Sequence, residues 1–226
     1  MTPPHASPIP ALSPQARTFL WTALEKAWAG LDDTAHDLAH VARVRATTLR
    51  LAAANGAPVD GAALEAATIL HDLVAVPKND PRRSQASRLS AEAAAPLLAE
   101  VGFTPASIAI AQHAIEAHSW SAGIPPQTLE AWYLRDGDRL DALGRVGLAR
   151  CIALAGRLGQ QLYHPTDPFA RHRELDDRLY CHDHFLVKLY GLVDGLHSPQ
   201  AQEEGARRVA AMRAFWDHLF EEAGVA

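Results

Sequence analysis

Apolar residues recur along this chain at helical intervals and almost nowhere in alternation. Ser13-Pro14 supplies an N-cap and a proline suited to the first helical position, and Phe19, Leu20, Ala23, Leu24, Ala27 and Trp28 then predict an amphipathic helix ending at Gly30. Asp32-Asp33-Thr34 offers caps and first-turn acids for a second helix through Val41, Val44, Leu49 and Leu51, closed by Asn55-Gly56-Ala57-Pro58. Asp60 is placed to cap a third, which carries Leu64, Ala67, Ile69 and Leu70 and stops before Pro77. Further helical patterns cover 84–100, 105–118, 127–157, 176–193 and 200–222, separated by turns bearing Pro or Gly. The expected class is therefore all-α, a single-domain helical bundle.

Five of the fifteen prolines fall within the first fourteen residues, so residues 1–12 are expected to be a flexible Pro-rich tail and 13–226 one helical domain. Within it, a core of about 31–157 would carry the chemistry, with C-terminal helices over about 176–222. Two charged loops, 76–83 and 164–177, are long enough to edge a site. No apolar run approaches the roughly 18 residues of a membrane helix, and Met1-Thr2-Pro3-Pro4-His5 lacks a secretory start, so a cytoplasmic protein with no membrane partner is expected.

The formal charge of −5 and a pI near 6.2 argue against a nucleic-acid polymer as partner, since counterion release needs clustered Lys and Arg. A small acidic ligand in a locally basic pocket stays open. Cys151 and Cys181 have no CxxC spacing and read as reduced, structural thiols. Trp216, Leu219 and Phe220 on the last helix serve either the core or a homo-oligomer interface.

Twelve histidines in 226 residues change this picture, because imidazole serves metal and acid/base sites. His71-Asp72 ends an otherwise apolar helix, where neither side chain suits a dry core without a partner; a divalent cation would satisfy both, as would a turn and a core hydrogen bond. In His36-Asp37-Leu38-Ala39-His40, four residues turn a helix by about 400°, which puts both imidazoles on one face. Both then reach one ion, or one is a ligand and the other its neighbour. The HxxxH spacing imitates a zinc protease, but Asp is too short for the required base and no third His follows.

Arg135-Asp136-Gly137-Asp138-Arg139-Leu140-Asp141 reads as the start of a helix, where acids suit the dipole, or as a site holding a cation and a polyanion together. His113 and His118 are five residues apart and point to different sides of their helix. One is expected to be structural; His118, at the helix end, is the better general acid or phosphate contact.

These segments, in this order, resemble the HD-domain superfamily of metal-dependent phosphohydrolases, and are most similar to the short bacterial YedJ-type hydrolases. The resemblance rests on His36-Asp37 with His40-Val41-Ala42-Arg43-Val44, on Leu70-His71-Asp72-Leu73-Val74 with Pro77-Lys78-Asn79 and Ser87-Arg88-Leu89, and on Ala117-His118-Ser119-Trp120-Ser121-Ala122. It continues through Asp136 to Gly144, Asp167-Pro168-Phe169-Ala170, Leu175-Asp176-Asp177 and His184-Phe185, covering most of 30–195. It implies a bundle of the HD-domain type in which His40, His71, Asp72 and Asp138 hold one divalent ion, such as manganese, magnesium or another transition metal. Gly137 stands where the related motif usually has Ala, and would loosen the helix start that holds Asp138.

The activity so implied is hydrolysis of a small phosphate ester or anhydride, with a nucleotide as the expected substrate, by attack of a metal-bound water. Asp72 and His118 would be the catalytic proton carriers, Lys78, Arg83 and Arg139 the phosphate contacts, and His36 and Asp141 supports behind the ligands. A non-catalytic HD module that binds a nucleotide as a regulatory ligand is the rival reading. The presumed ligands are intact, and a binding-only domain has no need of them.

Overall fold

A computed structural model describes residues 11–30, 37–56, 58–76, 80 and 82–225. Its helices are α1 (Pro14–Ala27), α2 (Leu38–Ala54), α3 (Gly61–Leu70), α4 (Ala86–Glu100), α5 (Pro105–His118), α6 (Leu129–Asp141), α7 (Gly144–Arg157), α8 (Cys181–His184) and α9 (Pro199–Ala223). Among the described residues there is no strand, only an isolated bridge between Gln161 and Tyr180, and the fold is all-α. No helix there is long and apolar enough to cross a membrane. The chain forms two compact units that divide between Asp138 and Arg139, inside α6. Residues 1–10 of the expected tail lie outside the described residues.

The first unit is organised around α3. From Ala63 to Leu70 every side chain of this helix is buried, as expected of a helix apolar on all sides, and it packs against α1, α2, α4 and α5. Its one acid, Glu65, is 1% exposed. Both its oxygens are used: Arg17 Nε donates to Oε1 at 2.6 Å, Arg45 Nε to the same atom at 2.8 Å, and the Leu12 amide to Oε2 at 2.9 Å. Three segments are thereby tied to α3. Burial alone would favour the neutral acid, but these donors hold the Glu65 carboxyl below the usual carboxylate range.

Ser13, Asp60 and Thr104 cap α1, α3 and α5, their side chains accepting from Ala16, Ala63 and Ser107 amides. The second helix departs from expectation. Asp37 is extended (φ −110°, ψ 167°) and caps α2 by accepting from the His40 amide at 2.6 Å, so the helix begins at Leu38. Asp32 to Thr34 lie outside the described residues.

The expected helix over 127–157 is two helices. Gly144, with φ +74°, occupies the left-handed region at the break, a conformation costly for any residue with a Cβ. Asp136, Asp138 and Asp141 consequently lie in the last turns of α6 instead of a first turn. There the helix dipole disfavours acids, so first-turn stabilisation does not explain them.

In the second unit α7 packs on α8 and α9 around Phe185, Trp216 and Phe220, the last two 1% and 0% exposed. Both are core residues, which removes them from the surface that the interface alternative required. The expected helix over 176–193 is shorter and irregular: α8 passes into a π-type turn at Phe185–Leu189 and 3-10 turns at Tyr190–Gly195. Buried Asp183 explains the ordered loop before it, taking two bonds from Arg173, at 2.5 and 2.7 Å, and one from the Asp176 amide at 2.7 Å. Cys151 and Cys181 are thiols with their sulfurs 3.9 Å apart.

Candidate metal centre

Two histidines reach the same place by the same local device. His71 follows α3 as its C-cap and His118 is the last residue of α5; each places its Nδ1 on the carbonyl three residues back, Thr68 at 2.8 Å and Ile115 at 2.6 Å. A carbonyl can only accept, so each Nδ1 carries hydrogen and each Nε2 is left to face inward. The rings meet edge to face with centroids 4.9 Å apart, and His40, from the first turn of α2, approaches His71 at 5.3 Å.

Around the His71 Nε2 the distances are short. His40 Nε2 is 3.3 Å away and Asp72 Oδ2 3.5 Å. Asp138 Oδ1 lies 3.5 Å from His40 Nε2, and Asp72 Oδ1 lies 3.6 Å from His118 Nε2. His40, His71 and Asp138 form one set whose ligand atoms all lie within 4.8 Å of one another, and His71, Asp72 and His118 form another. The donors are imidazole nitrogens and carboxylate oxygens, a mixture suited to Mn²⁺, Zn²⁺ and similar ions, so the side chains fit a divalent cation. The imidazoles are buried, while Asp72 and Asp138 remain 24% and 29% exposed, leaving the acids as the open side of the cluster.

The protonation states follow from these surroundings. Complete burial, reinforced by the neighbouring imidazoles and only partly offset by Asp72 and Asp138, pushes His71 down to about 4, so its ring is neutral with an Nε2 lone pair. His118 moves the other way. Burial works against its charge, but the bond and charge of Asp72, with the charge of Asp138, raise it above the ordinary imidazole value.

The helix positions are fixed by packing. Trp28 Nε1 donates to the Asp72 carbonyl at 3.1 Å, and the Ser90 hydroxyl accepts from the Val74 amide at 3.0 Å, which anchors both sides of the His-Asp turn. Gly137 does not loosen α6. A Cβ at this position would overlap Thr48 Oγ1 and lie 3.2 Å from the Val44 carbonyl oxygen, so the missing side chain allows α6 to approach α2 and Asp138 to reach His40.

The remaining sequence candidates separate into distinct places. His36 and Lys78 lie outside the described residues, and α2 begins at Leu38 after its cap Asp37. Arg83 donates to the Val76 carbonyl at 2.8 Å and is half-buried. Arg139 is 4% exposed and gives Nη1 to the Gly195 carbonyl at 2.6 Å, and Asp141 pairs with Arg150 at 2.5 Å across the α6–α7 break. These two thus make contacts within the second unit, where sequence spacing had associated them with phosphate and with the ligands. His113 is structural, accepting from the Gln127 amide at 2.9 Å. His118, expected from its helix-end position to carry a proton, lies with His71 and Asp72 in the second of the two ligand sets.

Comparison with known proteins agrees with this geometry. The HD domain family matches residues 37–143, a span that contains His40, His71, Asp72, His118 and Asp138. The chain is 28% identical over 205 residues to the uncharacterized protein YpgQ of Bacillus subtilis, covering 89% of this chain and 88% of that one. A crystal structure of Bacillus subtilis YpgQ in complex with ADP superposes with a TM-score of 0.68 at 25% identity, over 92% of this chain and 97% of that one. An HD-superfamily hydrolase from Bacillus thuringiensis shares the fold at a TM-score of 0.69 and 24% identity, over 94% and 98% of the two chains. The HD domain family model thus spans the His-Asp turn and the acids and imidazoles gathered around it, and residues 37–143 of this chain match an HD domain.

Proposed function

We propose that this protein is a metal-dependent phosphohydrolase acting on a small phosphate ester or anhydride, with a nucleotide as substrate. The observation that carries the reading is the convergence of His40, His71, Asp72 and Asp138, from three separate parts of the chain, onto one cluster with an open carboxylate side. The nucleotide half draws its support from the ADP complex of the YpgQ relative.

A divalent ion held by these four side chains would lower the pKa of water and polarise a phosphoryl oxygen. His71 Nε2 is neutral and needs no deprotonation to serve as a ligand. Asp72 spans the cluster, with Oδ2 toward His71 and His40 and Oδ1 toward His118, so it can pass a proton from the ligand side to His118 Nε2. His118, with Nε2 3.6 Å from Asp72 Oδ1, is placed to receive that proton and deliver it to the leaving oxygen as general acid. Lys78 and Arg83, in the segment after the His-Asp turn, are the proposed phosphate contacts, because two carboxylates already neutralise a divalent ion and substrate charge needs further cations.

The test is a panel of nucleotides and generic phosphate esters given to pure protein with Mn²⁺ or Mg²⁺. Release of phosphate or pyrophosphate is the expected result. Tight nucleotide binding without turnover would replace the hydrolase with a regulatory binding module.

A further inference from the structure

The chain has two cysteines, and both belong to the second unit. Cys151 lies in α7 and Cys181 opens α8, 30 positions apart in sequence, yet their sulfurs approach to 3.9 Å and both are thiols. The backbone that carries Cys181 is pinned. Its amide donates to the Gln161 carbonyl at 2.9 Å, the His182 amide to the Leu162 carbonyl at 3.0 Å, and the Gln160 side chain to the Asp177 and Arg178 carbonyls, each at 2.9 Å. Closing the pair to an S–S bond of about 2 Å asks each sulfur to move by roughly 1 Å, within the reach of side-chain rotation on that frame. Small apolar filling would not require sulfur against sulfur. The two thiols also differ in access: Cys181 is fully buried and Cys151 only half-buried. The neighbouring Cys151 and burial together push the Cys181 thiol up, so it keeps its hydrogen while Cys151 meets the solvent.

We propose that Cys151 and Cys181 are a redox modification site: they form a reversible disulfide, in which Cys151 reacts first and Cys181 completes the bond. The co-reactant is a low-molecular-weight disulfide, RSSR, of the glutathione class. Cys151, as thiolate, attacks one sulfur of RSSR and expels RS⁻; Cys181 then gives up its proton, attacks Cys151 Sγ and expels the second RS⁻. The protein loses two hydrogens with their electrons, and the small disulfide leaves reduced, as two RSH. The product joins α7 to the start of α8 and closes a loop that contains the charged segment 164–177. Such a cross-link restricts the unfolded chain, so oxidation stabilises the unit that carries it. No side chain of the His-Asp cluster takes part.

The test is to incubate the full chain with glutathione disulfide, quench with acid, alkylate the remaining thiols and map the peptides by mass spectrometry. The expected product is an internal Cys151–Cys181 disulfide, lighter than the reduced chain by two hydrogen atoms and reversed by dithiothreitol. The oxidised protein should melt about 5 °C or more above the reduced one, and dithiothreitol should abolish the difference. Cys181→Ser should stop at a glutathione adduct on Cys151, and Cys151→Ser should leave the buried Cys181 thiol unreacted in the folded protein. A stable glutathione adduct on wild-type Cys151, two thiols still alkylated after exposure, or a bond between two copies in place of the internal one would overturn the proposal. So would an internal bond that lowers the melting temperature. Should either variant fail to fold, the wild-type peptide map and melting curves decide alone.

Discussion

His118 and Asp72 face each other across the cluster, imidazole Nε2 3.6 Å from carboxylate Oδ1. That pairing raises His118 above the ordinary imidazole value, whereas burial drives its neighbour His71 down to about 4. In the metal-free cluster the Asp72 carboxylate thus favours a proton on His118, while the His71 Nε2 lone pair stays available. A cation entering beside Asp72 competes with the His118 proton. Metal affinity should rise with pH up to the raised His118 value and then level off, and binding below it should release a proton. Titrating Mn²⁺ in two buffers of different ionisation enthalpy measures that release. His118→Gln should flatten the dependence; an unchanged pH profile in this variant would count against the pairing.

Gly137 and Thr48 set how closely α6 approaches α2. Gly137→Ala should cost about 1–3 kcal/mol through overpacking and should weaken metal binding by moving Asp138 away from His40. Thr48 Oγ1 is buried with no hydrogen-bond partner, so its removal sacrifices no bond. Adding Thr48→Ala should accordingly recover most of the loss. A double variant no better than Gly137→Ala, in chemical denaturation and in Mn²⁺ affinity, would rule out the close approach as the cause.

Glu65 offers a stability prediction that does not involve the His-Asp cluster. Glu65→Ala removes the acid that joins Arg17, Arg45 and the Leu12 amide, and should lower stability at pH 7 by about 3 kcal/mol, the low end for a broken buried pair because both arginines are part-exposed and can rehydrate. The native carboxyl lies below its unfolded value, so its contribution is complete above the unfolded carboxylate pKa and is lost as pH falls through the folded one. Urea unfolding should show the gap between wild type and variant narrowing toward acid pH. A constant gap would mean that shape, not charge, is what the variant loses.

Much of the site was legible because its residues carry their chemistry in their types. His71-Asp72 at the end of an apolar helix, and an acid-rich segment ending in Arg-Leu-Asp, need partners wherever they are, and the structure supplies them to each other. Helix caps such as Ser13, Asp60 and Thr104 were equally local, a polar side chain before an apolar run. What periodicity could not show was direction and depth. The break at Gly144 is a single backbone conformation inside an unbroken apolar pattern, and missing it turned the end of α6 into a beginning. Arg139 and Asp141 look like site residues by charge and neighbourhood; only packing reveals that they contact the Gly195 carbonyl and Arg150. Likewise the meaning of Gly137 depends on Thr48, 89 positions away in the chain.

The central claim is that His40, His71, Asp72 and Asp138 hold one cation on which phosphate hydrolysis depends. Metal content and nucleotide turnover, measured together on wild-type protein and on Asp138→Ala after identical Mn²⁺ loading and desalting, test it most directly. Wild-type protein should retain manganese and release phosphate or pyrophosphate, and Asp138→Ala should lose most of both while keeping its far-ultraviolet helical signal. Full turnover by an Asp138→Ala protein that carries the wild-type amount of metal would contradict the account.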